Sequence, residues 1–210
     1  MLLLAFVGAS GVLGAPGDIG HKDGSYGSGG SAPTGSKPES KLWYNDGFWW
    51  ASMRTQTGGF FIHRLDPNTD SWVNTNVPLD PRRSSRADTL WDGTRLYVAS
   101  QVFSDAATTQ TGSNGEARLY RFSYNSGSHT YSLDSGFPAI IRTGWRTETL
   151  TIAKDSTGTL WATWVQQNLV KVNHSTINDQ TWSAPVTLPV GNQPVGVTVD
   201  SDDISTIVAF

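Results

Sequence analysis

Leu42-Trp-Tyr-Asn-Asp-Gly-Phe-Trp-Trp-Ala-Ser52 and Leu90-Trp-Asp-Gly-Thr-Arg-Leu-Tyr-Val-Ala-Ser100 are equal in length, end alike and lie 48 positions apart. A third copy, Leu150-Thr-Ile-Ala-Lys-Asp-Ser-Thr-Gly-Thr-Leu-Trp-Ala-Thr-Trp164, keeps the pattern with a longer turn, and Val195 to Phe210 begins a fourth. Starts spaced by 48, 60 and 45 residues, in units rich in Thr, Val, Trp and Tyr, have the period of a four-stranded propeller blade rather than of a helical solenoid. The fold expected is therefore all-β: a β-propeller with three complete four-stranded blades and the start of another, part of a six- to eight-bladed ring.

Each unit reads as four strands. The first runs into a tight turn, Asn45-Asp46-Gly47, Asp92-Gly93 or Asp155-Ser-Thr-Gly158, where Asp and Gly supply the positive φ that a hairpin needs. The second strand is Phe48–Met53, Leu96–Val102 or Leu160–Val165. The third is Phe60–Leu65, Arg118–Ser123 or Leu169–Asn173. An aromatic residue, Trp72, Tyr131 or Trp182, opens the fourth strand, and Pro78, Pro138 or Pro189 closes it, as suits an outer edge without a ladder partner. Aromatics that recur once per unit are expected to pack blade against blade, and the same role is assigned to Trp43, Trp49, Trp50, Trp91 and Trp161.

Bulk properties narrow the function. The chain has 210 residues, enough for one domain with a sizeable core. Fifteen Lys and Arg against 18 Asp and Glu give a net charge of −3, without the clustered cations that a nucleic-acid surface needs. There is no Cys, so neither disulfides nor thiolate chemistry enter, while 22 Gly and nine Trp suit turn-rich β structure. Residues 1–16 form an apolar run too short to span a bilayer. Small residues near Gly14 and Ala15 suit a cleavage site, so the run reads as a signal peptide lacking its basic region; a buried strand of a preceding blade is the competing reading. Residues 17–36, with seven Gly and four Ser, read as a flexible linker, and residues 37–210 as the partial propeller domain. The expected location is secreted or at the cell surface.

Lys37-Pro-Glu-Ser-Lys-Leu-Trp-Tyr-Asn-Asp-Gly-Phe-Trp-Trp-Ala-Ser52, after the Gly/Ser spacer and continued by Arg64-Leu-Asp-Pro-Asn-Thr-Asp-Ser-Trp72, resembles the opening blade of secreted bacterial β-propellers of the sialidase-like (BNR-repeat) or kelch-like kind. The resemblance covers residues 37–210 and implies a ring with a ligand site over its central channel, sometimes belonging to a glycosidase. The chain departs from the sialidase signature Ser/Thr-x-Asp-x-Gly-x-x-Trp, because Asp155 and Gly158 are three apart rather than two, and it has no Arg-Ile-Pro motif. No catalytic residue is carried over.

Candidate site residues come from the connections between units, which in a propeller share a face with the loop between strands two and three. Lys37-Pro-Glu39, Arg86-Ala-Asp88 and Arg146-Thr-Glu148 each place an acid two positions after a base, just ahead of an innermost strand. Converging at a channel mouth, such carboxylates suit glycoside hydrolysis and such arginines an acidic sugar. Because the pattern repeats, blade-to-blade salt bridges and strand caps are the stronger reading. Trp145, beside Arg146 on a connection and without a counterpart in other units, suits stacking on a sugar or plugging between blades. Arg86, Asp88, Trp145, Arg146 and Glu148 are thus the ligand-binding candidates. The insertion Ser104–Glu116 is polar and reads as a lid. No metal site is expected, since His21, His63, His129 and His174 lack ligand spacing and no calcium-loop spacing occurs. No cofactor motif is present. Asn173-His174-Ser175 matches a glycosylation acceptor.

The expected function is an exported binding or scaffold module for extracellular carbohydrate or protein. A glycoside hydrolase of sialidase-like architecture and a structural cell-surface adhesion protein are the alternatives. Three units and a half fall short of the four to eight blades that close a ring. Either the chain is the N-terminal part of a longer protein, or copies self-associate through their open blade edges.

Overall fold

A computed structural model describes residues 39–56, 58–82, 84–102, 112–145, 147–167 and 169–189. The apolar run 1–16, the linker 17–36, the fourth unit from Val195, Arg146 and most of the Ser104–Glu116 insertion lie outside them. The described residues are all-β, in three antiparallel sheets. The first holds β1 (Leu42–Asn45), β2 (Phe48–Arg54), β3 (Phe60–Asp66) and β4 (Ser71–Asp80) in chain order. The second holds β5 (Ser85–Trp91), β6 (Arg95–Val102), β7 (Glu116–Asn125) and β8 (Thr130–Leu133) in chain order, with β9 (Ala139–Thr143) also pairing β7. The third holds β10 (Thr147–Lys154), β11 (Leu160–Gln166), β12 (Leu169–His174) and β13 (Val186–Thr187). Among the described residues no helix is long and apolar enough to cross a membrane.

The turns behave as their residues dictate. Asp46 and Gly47 close a two-residue turn with φ of 53° and 79°. The longer turns are held by their aspartates: Asp92 accepts the N–H groups of Thr94 and Arg95 at 2.8 and 2.7 Å, and Asp155 those of Thr157 and Thr159 at 2.8 and 3.0 Å. The fourth strands are less regular than the sequence suggests. Trp72 and Tyr131 do lie at the starts of β4 and β8, but Trp182 makes only an isolated bridge to Ser175 ahead of β13. Pro78 lies inside β4, opposite Phe61 at a register shift, where an outer strand tolerates a missing N–H.

The second sheet is buried on both faces. Leu96, Val98, Tyr120 and Phe122 join Trp43, Trp50, Phe60, Ile62 and Leu79 of the first sheet in one core. Their neighbours Tyr97, Ala99, Ala117 and Leu119 join Leu150, Leu160, Ala162 and Trp164 of the third sheet in another. Alternation along β6 and β7 thus feeds two cores from one sheet, and the three sheets stack face to face in series.

Pairing corrects the register of the repeat. Trp50 sits opposite Trp43 and Arg64, as Tyr97 sits opposite Leu90 and Arg121. The structural equivalents Trp50 and Tyr97 are 47 positions apart, not 48. One residue of slip exchanges the faces of a strand. Trp49, matched by sequence to the buried Tyr97, instead corresponds to Leu96 and lies on the flank facing away from the second sheet, 49 % exposed. It does not pack between sheets. Trp50 does: it is fully buried with its ring centroid 5.0 Å from that of Tyr131. Trp43 donates Nε1–H to Tyr131 Oη at 2.9 Å, and Trp91 packs on the same core. Trp161 is half-buried and donates Nε1–H to Asp155 at 2.9 Å.

Candidate functional site

The first strands of the three sheets, β1, β5 and β10, run side by side, and Asp88 lies at their seam. It is in β5 rather than on a connection, as is Arg86, because pairing with β6 starts at Ser85. Asp88 Oδ1 accepts the N–H of Ser40, just ahead of β1, at 2.6 Å, and Oδ2 accepts the N–H of Ile152 in β10 at 2.8 Å. One carboxylate therefore ties all three sheets together. Lys41 adds a second tie, donating to Ala87 O at 2.5 Å and to Glu39 Oε2 at 3.2 Å.

Burial dominates the electrostatics of this seam. Asp88 is 6 % exposed, and desolvation raises its carboxyl to about 6 although the two N–H groups and Lys41 pull the other way. Burial likewise lowers the Lys41 ammonium, against the opposing pull of Glu39. Since Asp88 titrates higher folded than unfolded, its contribution to stability is complete below the ordinary carboxylate value of 3.8 and is lost as pH rises through about 6. The urea midpoint is expected to fall across that window, and Asp88→Asn to flatten the fall. An unchanged pH profile in the variant would contradict this assignment.

The connections gather at one end of the stack, and arginines anchor them. Arg82 grips Asp80 through Nε and Nη2, at 2.9 and 2.6 Å, while Ser100 Oγ donates to the same carboxylate at 2.6 Å. Its Nη1 reaches across to the carbonyls of Ser113 and Glu116, both at 2.7 Å. Arg142 is 5 % exposed and donates to Gln101 Oε1 at 2.5 Å and to Gly144 O at 2.9 Å. Burial, and secondarily Arg82, lowers its guanidinium to about 9, which still leaves it charged at neutral pH. Both cations fasten the backbone of the connections. Arg82 and Arg142 were not singled out in the sequence; Asp80-Pro-Arg82 carries the same acid and base two apart as Arg86-Ala-Asp88, in the opposite order.

Of the five residues picked from the sequence, three can be placed by side chain. Asp88 is the inter-sheet tie, Arg86 is half-buried in β5, and Trp145 is half-buried on the β9 to β10 connection. Glu148 is placed through its backbone in β10, opposite Val165. Arg146 lies outside the described residues. Of the described histidines, His63 is buried in β3 and His129 reaches Asp46 at 2.9 Å, while His21 lies outside the described residues. No cluster of metal-binding side chains occurs among the described residues. Asn173 of the glycosylation pattern is 2 % exposed, its Nδ2 donating to Ile141 O at 2.8 Å, so in the folded chain it is a core residue.

No protein-family model matches the chain, and no curated protein matches it.

Proposed function

We propose that the three sheets are consecutive blades of a β-propeller, and that the end where the connections gather is the binding face of an exported binding or scaffold module for extracellular carbohydrate or protein. The observation that carries the reading is the equivalence of faces. Leu96 and Val98 turn toward the first sheet as Leu160 and Ala162 turn toward the second, so successive sheets repeat one relation, as blades about an axis do. Innermost strands meet at a shared seam, which supports a common axis. Trp145 lies on the same end as the anchored connections and offers a ring to a sugar.

The hydrolase alternative draws nothing from Asp88, whose two oxygens are occupied by backbone donors in a buried seam. Glycan-array binding by the whole chain, repeated with Trp145→Ala, tests the proposal. Binding to a restricted set of glycans, weakened at least tenfold in the variant without turnover of aryl glycosides, is expected. Retained affinity in the variant removes Trp145 from the site; turnover replaces the binding module with an enzyme.

A further inference from the structure

We infer that Gln166 sets the specificity of the site proposed above: its side-chain amide donates a hydrogen bond to a hydroxyl of a neutral sugar stacked on Trp145. The inference rests on the binding-module reading and gives it a ligand class.

Gln166 ends β11 at the hairpin to β12, and it pairs with Thr147, two residues after Trp145. The hairpin tip and the β9 to β10 connection therefore share one end of the stack. They come closest at Gly144, where a Cβ would lie 2.1 Å from Gln166 Nε2. Because φ there is also 124°, only glycine fits, and its bare Cα lets the amide lie against the backbone beside Trp145.

The amide is held in one orientation. Trp164 is fully buried and donates Nε1–H to Gln166 Oε1 at 3.2 Å. An indole N–H can only donate, so the oxygen of the amide faces Trp164 and its NH2 group faces the connection. Among the described residues no acceptor takes the Nε2 hydrogens, and Gln166 is half-buried, so this donor stays within reach of solvent.

The connection is as fixed as the amide. Arg142 Nη1 donates to Gly144 O at 2.9 Å, and the N–H of Gly144 donates to Gly115 O at 2.8 Å. With connection and donor both anchored, a ligand pays little for ordering them. Arg142 spends its Nη groups on Gln101 and Gly144, and its Nε is shut off from solvent. What this corner offers is a neutral donor beside an aromatic residue, a pair that suits a hydroxyl at the edge of an apolar sugar face.

An array of neutral hexose oligosaccharides, their monodeoxy derivatives and uronic-acid oligosaccharides, probed with the whole chain, tests this. Gln166→Glu is the informative variant, since it keeps an oxygen for Trp164 and loses the donor. Wild type is expected to prefer neutral sugars, and the variant to bind them about three- to tenfold more weakly with its urea midpoint near wild type. One monodeoxy derivative, already weak with wild type, should lose nothing further in the variant. Unchanged affinity in Gln166→Glu, with Gln166→Ala only lowering the urea midpoint, would reduce Gln166 to a brace for Trp164 and overturn the inference, as would a preference for uronic acids. Sugar binding that depends on Trp145 and not on Gln166 overturns this inference alone; a wild type that binds no sugar overturns the carbohydrate reading with it.

Discussion

Trp50→Ala is expected to cost about 3–5 kcal/mol, a large share of the roughly 5–15 kcal/mol that holds a domain of ordinary stability together, whereas Trp49→Ala costs under about 1 kcal/mol. The two residues are adjacent and chemically identical, so the difference comes from the face alone. Trp50 is fully buried among Tyr124, Tyr131 and Phe48, with edge-to-face contacts at 5.8, 5.0 and 6.3 Å, and its removal opens a void between two sheets. Trp49 touches mainly Tyr44, at 5.3 Å, on the outer flank. Urea unfolding of both variants measures the contrast. The 48-residue alignment, which makes Trp49 the partner of the buried Tyr97, would reverse it.

Asp88→Ala is expected to be nearly as damaging, about 2–5 kcal/mol, because it strips the acceptor from two N–H groups that the seam keeps from water, each worth about 1–3 kcal/mol when left unpaired. Asp88→Asn keeps one acceptor and should lose roughly half as much. The local signature matters more than the total. Amide exchange at Ser40, just ahead of the first sheet, and at Ile152, in the third, should accelerate together in the Ala variant, as both depend on the one carboxylate. If only one amide responds, Asp88 is not the tie that joins three sheets.

The hairpins were legible in the sequence because Asp and Gly at Asp46-Gly47, Asp92-Gly93 and Asp155 to Gly158 fix turn geometry locally, and the flanking strands follow from composition. The register was not. Ala51-Ser52 and Ala99-Ser100 match in sequence, but the turn between Asn45 and Phe48 is shorter than the one between Trp91 and Leu96, and the second strands align in space one residue away from where the matching letters put them. Strand period two makes that slip decisive for every side chain. Among site residues, Asp88 was found by its place ahead of an inner strand, whereas its role was hidden, since its donors lie 48 and 64 residues away in the chain. Arg82 and Arg142 escaped for a similar reason: the carbonyls they hold at Ser113, Glu116 and Gly144 carry no side-chain signature. The fourth strand of the third unit read too regularly, because one aromatic and one proline do not fix a ladder.

The absence of cysteine allows paired spin labels to be placed cleanly across the stack. Distances between an inner pair, Tyr44→Cys with Ser156→Cys, and an outer pair, Thr69→Cys with Ile177→Cys, compare the first and third sheets at their two edges. Sheets fanned about one axis predict an inner distance clearly shorter than the outer one; equal distances, as in three parallel layers, would contradict the account.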